Sequence, residues 1–147
     1  MKVSNLFLSG LILLTLSCNT SENKSEKPAA ANDAAQKKNI APLTINGNME
    51  NGSKLFKKNC GTCHTLSDKK LIGPGLKDVF ARIPQPAEVW MKKYIYNSAA
   101  IISSGDAYAG DLFRNNNGTA MPPFENVLAE QDVNDIIYFL YNDKNSN

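Results

Sequence analysis

The sequence predicts a small all-α fold of three to five helices with long loops between them. Three segments carry apolar residues at helical spacing, and no segment alternates convincingly with period two. The stretches that join them, "LIGPGL" and "NNNGTAMPPF", are rich in Gly, Asn and Pro, which favour turns and irregular backbone. Loops of that length in a compact domain need something to pack on.

In chain order, the first segment precedes the fold. Residues 1–17 begin with Lys2, continue through an apolar run from Leu6 to Leu16 and end on Ser17. The run is shorter than the ~20 apolar residues needed to span a bilayer core of ~30 Å, so it reads as a secretion signal. Cys18 follows at once. The stretch ending Leu16, Ser17, Cys18, with Thr15 at its outer position, resembles the lipobox of bacterial lipoproteins. That resemblance implies cleavage before Cys18 and lipidation of its thiol. Unmodified, Cys18 would be a lone thiol in an oxidising compartment.

Residues 18–46 contain "NTSENKSEKPAAANDAAQKKN", with no aromatic residue and no apolar periodicity. Such a composition buries too little surface to offset its ordering entropy and predicts a flexible linker. A coil of this length has an end-to-end distance of ~30 Å and a taut reach of ~90 Å. The folded domain is therefore expected over 47–147. It holds 11 Lys and Arg against 11 Asp and Glu, so the chain's net charge of +2 lies upstream of it. No basic face with interleaved aromatics is present, and no nucleic-acid role is expected.

Within the domain, "NMENGSKLFKKNC" places Gly52, Leu55, Phe56 and Asn59 on one side of a helix that Asn48 can cap. "PAEVWMKKYIYN", entered through Pro84 and Pro86, clusters Trp90, Met91, Tyr94 and Ile95. "AEQDVNDIIYFLYN" sets Val133, Ile136, Ile137 and Leu140 in a stripe, with Asp132 and Asp135 early in the helix, where its dipole favours them. Ala129 stands where a capping Ser or Asp would contribute ~1 kcal/mol.

Cys60, Cys63 and His64 form the motif C-x-x-C-H, and His64 is the single histidine. A dithiol oxidoreductase would place the cysteines after a strand in an α/β unit, and no strand is predicted. A structural zinc site needs four ligands, and the domain offers these three. Covalent haem attachment uses all three: the thiols add across the haem vinyl groups and the adjacent imidazole binds iron. A second histidine ligand is not available within the chain. The thioethers after the signal are Met49, Met91 and Met121. Met49 lies on the helix that carries the motif, and Met91 sits among packing residues. Met121 precedes Pro122 and Pro123, which fix the backbone and hold Met121 extended, so its loop can present a soft ligand at a defined point.

Taken in order, "GSKLFKKNCGTCHTL", "GPGL" and "GTAMPPF" resemble the class I c-type cytochromes over the domain from about Gly47 to its end. The resemblance implies a small cytochrome c fold around one covalent haem c, with Cys60 and Cys63 attached and His64 and Met121 as axial ligands. It also implies that the Pro74 carbonyl accepts from His64, that Gly73 and Gly75 let backbone approach the haem, and that Trp90 stands near a propionate. The first and last helices are expected to cross with Gly52 and Phe56 against Ile136 and Phe139.

The implied function is that of an electron carrier, not an enzyme. It would be a monomer on the periplasmic side of a bacterial membrane, lipid-anchored through Cys18. Its partners would be membrane redox complexes: a quinol-oxidising donor, and a terminal oxidase or nitrogen-oxide reductase as acceptor. Lys54, Lys57, Lys58, Lys69 and Lys70 flank the motif and could steer acidic partners. The alternative is a five-coordinate haem c protein that binds or reduces O2, NO or peroxide. No distal Arg/His arrangement for peroxide cleavage is evident in the sequence.

Overall fold

The computed structural model describes residues 42–143. The expected signal, Cys18 and most of the linker lie outside the described residues, as do residues 144–147. Six helices follow in order: α1 Met49–Asn59, α2 Val79–Arg82, α3 Ala87–Tyr96, α4 Ser98–Ser103, α5 Ala107–Asn115 and α6 Glu130–Asn142. Among the described residues there is no strand. The all-α expectation holds. The three segments with helical spacing are α1, α3 and α6, and the three further helices are short pieces within what read as loops. No helix among the described residues is long and apolar enough to cross a membrane.

The frame is the crossing of α1 and α6. Asn48 caps α1 by accepting from the Asn51 amide at 2.9 Å. Gly52 is buried against α6, where a Cβ would fall 2.1 Å from the Asp135 carbonyl oxygen and 2.7 Å from the Phe139 Cβ. Glycine in mid-helix costs ~1 kcal/mol relative to alanine, and this contact explains its presence. One turn on, Phe56 meets Phe139 with ring centroids 5.7 Å apart. The Gly52 contact falls on Asp135 and Phe139, one residue off the expected Ile136, which lies in the shared core.

Asp135 locks the crossing. Its buried carboxylate accepts from the Asn48 backbone N–H (2.8 Å), the Asn51 side-chain amide (2.7 Å) and Gln131 (2.8 Å). Burial alone would raise its pKa, but these three donors outweigh that and hold it below the usual carboxylate value. At the start of α6, Ala129 offers no side-chain cap, and the Asp132 carboxylate instead accepts from the Ala129 N–H at 3.1 Å.

The core joins Val133, Ile136, Ile137 and Leu140 of α6 to Phe56, Phe80, Ile83 and Met91. The domain also begins upstream of Gly47. Leu43 and Ile45 pack against the core, and Thr44 bonds to Glu88 through its backbone N–H at 2.9 Å and through its hydroxyl. The last residues assigned to the linker are thus held on α3.

Candidate functional site

The motif occupies a tight turn that continues α1. The Cys60 and Gly61 N–H groups both donate to the Phe56 carbonyl, and those of Cys63 and His64 to the Cys60 carbonyl at 3.0 and 2.9 Å. Cys60 and Cys63 are partly buried and form no disulfide. Burial, with a contribution from Cys63, pushes the Cys60 thiol up to about 11.

The segment after the motif folds back over it. Gly73 donates to the Cys63 carbonyl (2.9 Å) and Leu76 to that of Thr65 (2.9 Å). This places the Pro74 carbonyl 2.8 Å from His64 Nδ1. A proton on Nδ1 then makes that bond and leaves the Nε2 lone pair available. The two glycines beside Pro74 each serve a close contact within the protein. A Cβ on Gly73 would lie 2.4 Å from His64 Cε1, so this glycine admits the imidazole ring itself. A Cβ on Gly75 would lie 2.3 Å from the Ser67 carbonyl oxygen, so the second glycine admits that backbone, and it also borders an apolar lobe lined by His64 and Met121.

His64, Pro74 and Met121 line both of two adjoining apolar lobes of about 560 and 670 Å³, volumes that include space open to solvent. Cys63 and Ile72 border one lobe, and Cys60 and Trp90 the other. Of the three thioethers weighed, Met49 stands exposed at the start of α1 and borders neither lobe. Met91 is buried in the core and borders one. Met121 borders both. The structure thus brings His64, Pro74 and Met121 to the walls of both lobes, with Cys63 on one and Cys60 on the other.

Trp90 reaches the cavity wall, but its indole N–H is donated to Asp106 at 2.9 Å. Its ring stacks on Tyr94 (centroids 4.7 Å) and meets the edge of Tyr108 (5.3 Å). Burial pushes both tyrosine hydroxyls up, so they stay protonated as neutral wall groups.

Sequence reading missed Asp106 and Ser98. Asp106 also caps α5, accepting from the Ala109 N–H at 2.8 Å. A signal was present: an Asp just before a segment with Tyr108 and Leu112 four apart is a helix start. Ser98, fully buried, donates its hydroxyl to the Met121 carbonyl at 2.6 Å. Its neighbour Asn97 caps α4 through the Ala100 N–H, which again marks a helix start.

Comparison with known proteins agrees with this geometry. The sequence profile of the family described as "Cytochrome c" matches residues 49–143. A relative, cytochrome c-551 of Ectopseudomonas mendocina, is 33% identical over 85 residues, which cover 56% of this chain and 84% of that protein. Among solved structures, a cytochrome c from Rhodothermus marinus superposes with a TM-score of 0.54 at 24% identity. The match covers 73% of this chain and 90% of that one, and it bears on the fold alone.

Proposed function

The chain belongs to the cytochrome c family and so carries covalently bound haem c, and from that premise we propose that it is a one-electron carrier with His64 and Met121 as its axial iron ligands. The observation that carries this reading is that His64 and Met121 both stand on the walls of the same two adjoining apolar lobes. The residues present fit the group. Cys60 and Cys63 supply the thiols, His64 offers a free Nε2, and the missing Cβ at Gly73 leaves room for the ring.

When bound, the haem iron supplies reversible one-electron exchange, with a His/Met pair raising its reduction potential. The Pro74 carbonyl orients His64 and increases its basicity. The apolar walls disfavour the additional positive charge of the oxidised state. With His64 and Met121 both holding the iron, no coordination position would be left for a substrate. That is the role of a carrier, not a catalyst.

We place the carrier on the periplasmic side of a bacterial membrane, tethered by a lipid on Cys18 with the linker as leash. Its donor would be a quinol-oxidising complex and its acceptor a terminal oxidase or nitrogen-oxide reductase. Of the five lysines near the motif, Lys54 pairs with Glu50 and Lys70 donates to the Asn115 carbonyl. Lys57, Lys58 and Lys69 are exposed and pair with no carboxylate among the described residues. They flank the attachment motif in sequence, and Ile72, 65% exposed, borders the site. Steering by these lysines predicts electron-transfer rates that fall as ionic strength rises.

The decisive test is the absorption spectrum of matured holoprotein, oxidised and reduced, for wild type and Met121→Ala, with carbon monoxide added. A sulfur-to-iron charge-transfer band that Met121→Ala abolishes, with no carbon monoxide binding in wild type, is expected. Ready carbon monoxide binding by wild type would overturn the carrier assignment in favour of an open-site ligand-binding protein.

A further inference from the structure

We infer that Ser98 is the positioning residue of the Met121 side of the site: its buried hydroxyl clamps the loop and sets how often the thioether leaves the iron. The inference rests on the assignment of Met121 as a ligand and adds the device that holds it there. A buried hydroxyl is costly unless paired. That of Ser98 is fully buried, and its bond is to the carbonyl of the one residue proposed as sixth ligand, at 2.6 Å.

The loop needs this donor. Pro122 and Pro123 have no N–H, so the backbone around Met121 has little means of bonding to itself. Its anchorage comes from the junction of α3 and α4 instead. The Tyr96 carbonyl accepts from the N–H groups of Phe124 (2.9 Å) and Glu125 (3.1 Å), and Asn97 donates to the Glu125 carboxylate at 3.2 Å. These bonds fasten the chain after the prolines. Ser98 is the bond at Met121 itself.

The junction is in turn fixed by α3, whose Met91 is buried in the core beside α6 residues. A path of direct contacts therefore runs from core to junction to hydroxyl to ligand loop. Without the hydroxyl, Met121 keeps its prolines and its downstream anchor but loses the restraint on its own peptide.

A weakly held thioether exposes its coordination position more often, and an added ligand reads out that fraction directly. Apparent affinity scales with the population of the open state. Losing one hydrogen bond of ordinary net strength should raise that population about five- to tenfold. The protein to use is full-length holoprotein in the ferric state, titrated with imidazole. Ser98→Ala should bind imidazole about five- to tenfold more tightly than wild type, and Ser98→Thr, which keeps the hydroxyl, should match wild type.

Ser98→Cys, close in size but a weak donor, gives the same reading if the alanine variant does not fold, with tighter imidazole binding again expected. A purely structural role for Ser98 would lower the denaturation midpoint and leave imidazole affinity unmoved, and that result overturns the inference. Met121→Ala separates the two levels. If it abolishes the charge-transfer band while the Ser98 variants bind imidazole as wild type does, the clamp fails and the ligand assignment stands. If the band survives Met121→Ala, the assignment fails and the clamp falls with it.

Discussion

Replacing Gly73 with alanine tests the contact on which the His64 side depends. The new Cβ would sit 2.4 Å from His64 Cε1, 2.8 Å from Nε2 and 2.9 Å from Nδ1, whereas ordinary contact begins near 3.4 Å. Something must retreat by about 1 Å. If the imidazole moves, its 2.8 Å bond to the Pro74 carbonyl is lost; if the backbone moves, the 2.9 Å bond from the Gly73 N–H to the Cys63 carbonyl goes instead. Overpacking costs about 1–3 kcal/mol and the lost bond about 1, while the stiffer unfolded chain returns about 0.4–1. The net expectation is a loss of about 1–3 kcal/mol in denaturant unfolding of the holoprotein. Gly75→Ala is the matched control, since its Cβ meets the Ser67 and Asp68 backbone at 2.3–2.8 Å and does not touch the ring. Both variants should lose comparable stability. Only Gly73→Ala should also change the absorption spectrum and raise the midpoint potential, because an imidazole without its acceptor is a weaker donor to ferric iron. A Gly73→Ala protein with wild-type stability and spectrum would refute the reasoning.

Three further outcomes are expected. Asp135 has a lowered folded-state pKa, so its contribution is present above about pH 4 and is lost as pH falls through the lowered value; Asp135→Asn should flatten the acid limb of stability against pH and cost about 1–2 kcal/mol at neutral pH, where its two bonds through Oδ1 lose their charge assistance. Gly52→Ala should destabilise by about 1–3 kcal/mol in equilibrium unfolding despite alanine's better helix propensity, because its Cβ would meet backbone at 2.1 Å. Trp90→Phe and Asp106→Asn should show a coupling of about 1 kcal/mol in a double-mutant cycle, and additivity would mean that the indole N–H serves another acceptor, such as a haem propionate.

The parts of this site that could be read in advance are those governed by local chemistry. Cys60, Cys63 and His64 are adjacent in sequence because one turn must present them together, and Met121 is marked by the prolines that stiffen its loop. Helices α1, α3 and α6 announce themselves by apolar spacing over ten or more residues. The four residues of α2 and the six of α4 are too short to show a period; Phe80 and Ile83 join the core, and Ser98 bonds to the Met121 carbonyl. Ser98 in "NSAAIISS" looks like a solvated loop serine. Its burial and its bond to Met121, 23 residues on, are set by tertiary structure. The same holds for Leu43 and Ile45, whose burial depends on α3 and cannot be read in a polar linker.

The two sides of the site are consequently held by different means. His64 is fixed within one short stretch: the turn at Cys60 and Cys63, the Pro74 carbonyl ten residues on, and the Gly73 contact. These bonds form and break together as a local unit. Met121 depends on Ser98, 23 residues away, and its loop on the Tyr96 carbonyl, 28 residues from the Phe124 N–H it accepts from, and both belong to another part of the fold. Loosening α4 or the α3–α4 junction frees the methionine without disturbing the histidine, whereas the reverse requires undoing the attachment turn. Partial unfolding should therefore proceed through a state with His64 ligated and Met121 released. In denaturant, the charge-transfer band of the ferric holoprotein should vanish before the fluorescence change that follows Trp90 leaving its cavity. Coincident transitions would mean that the two sides share one cooperative unit, and the separation of local from distant support would then have no energetic consequence.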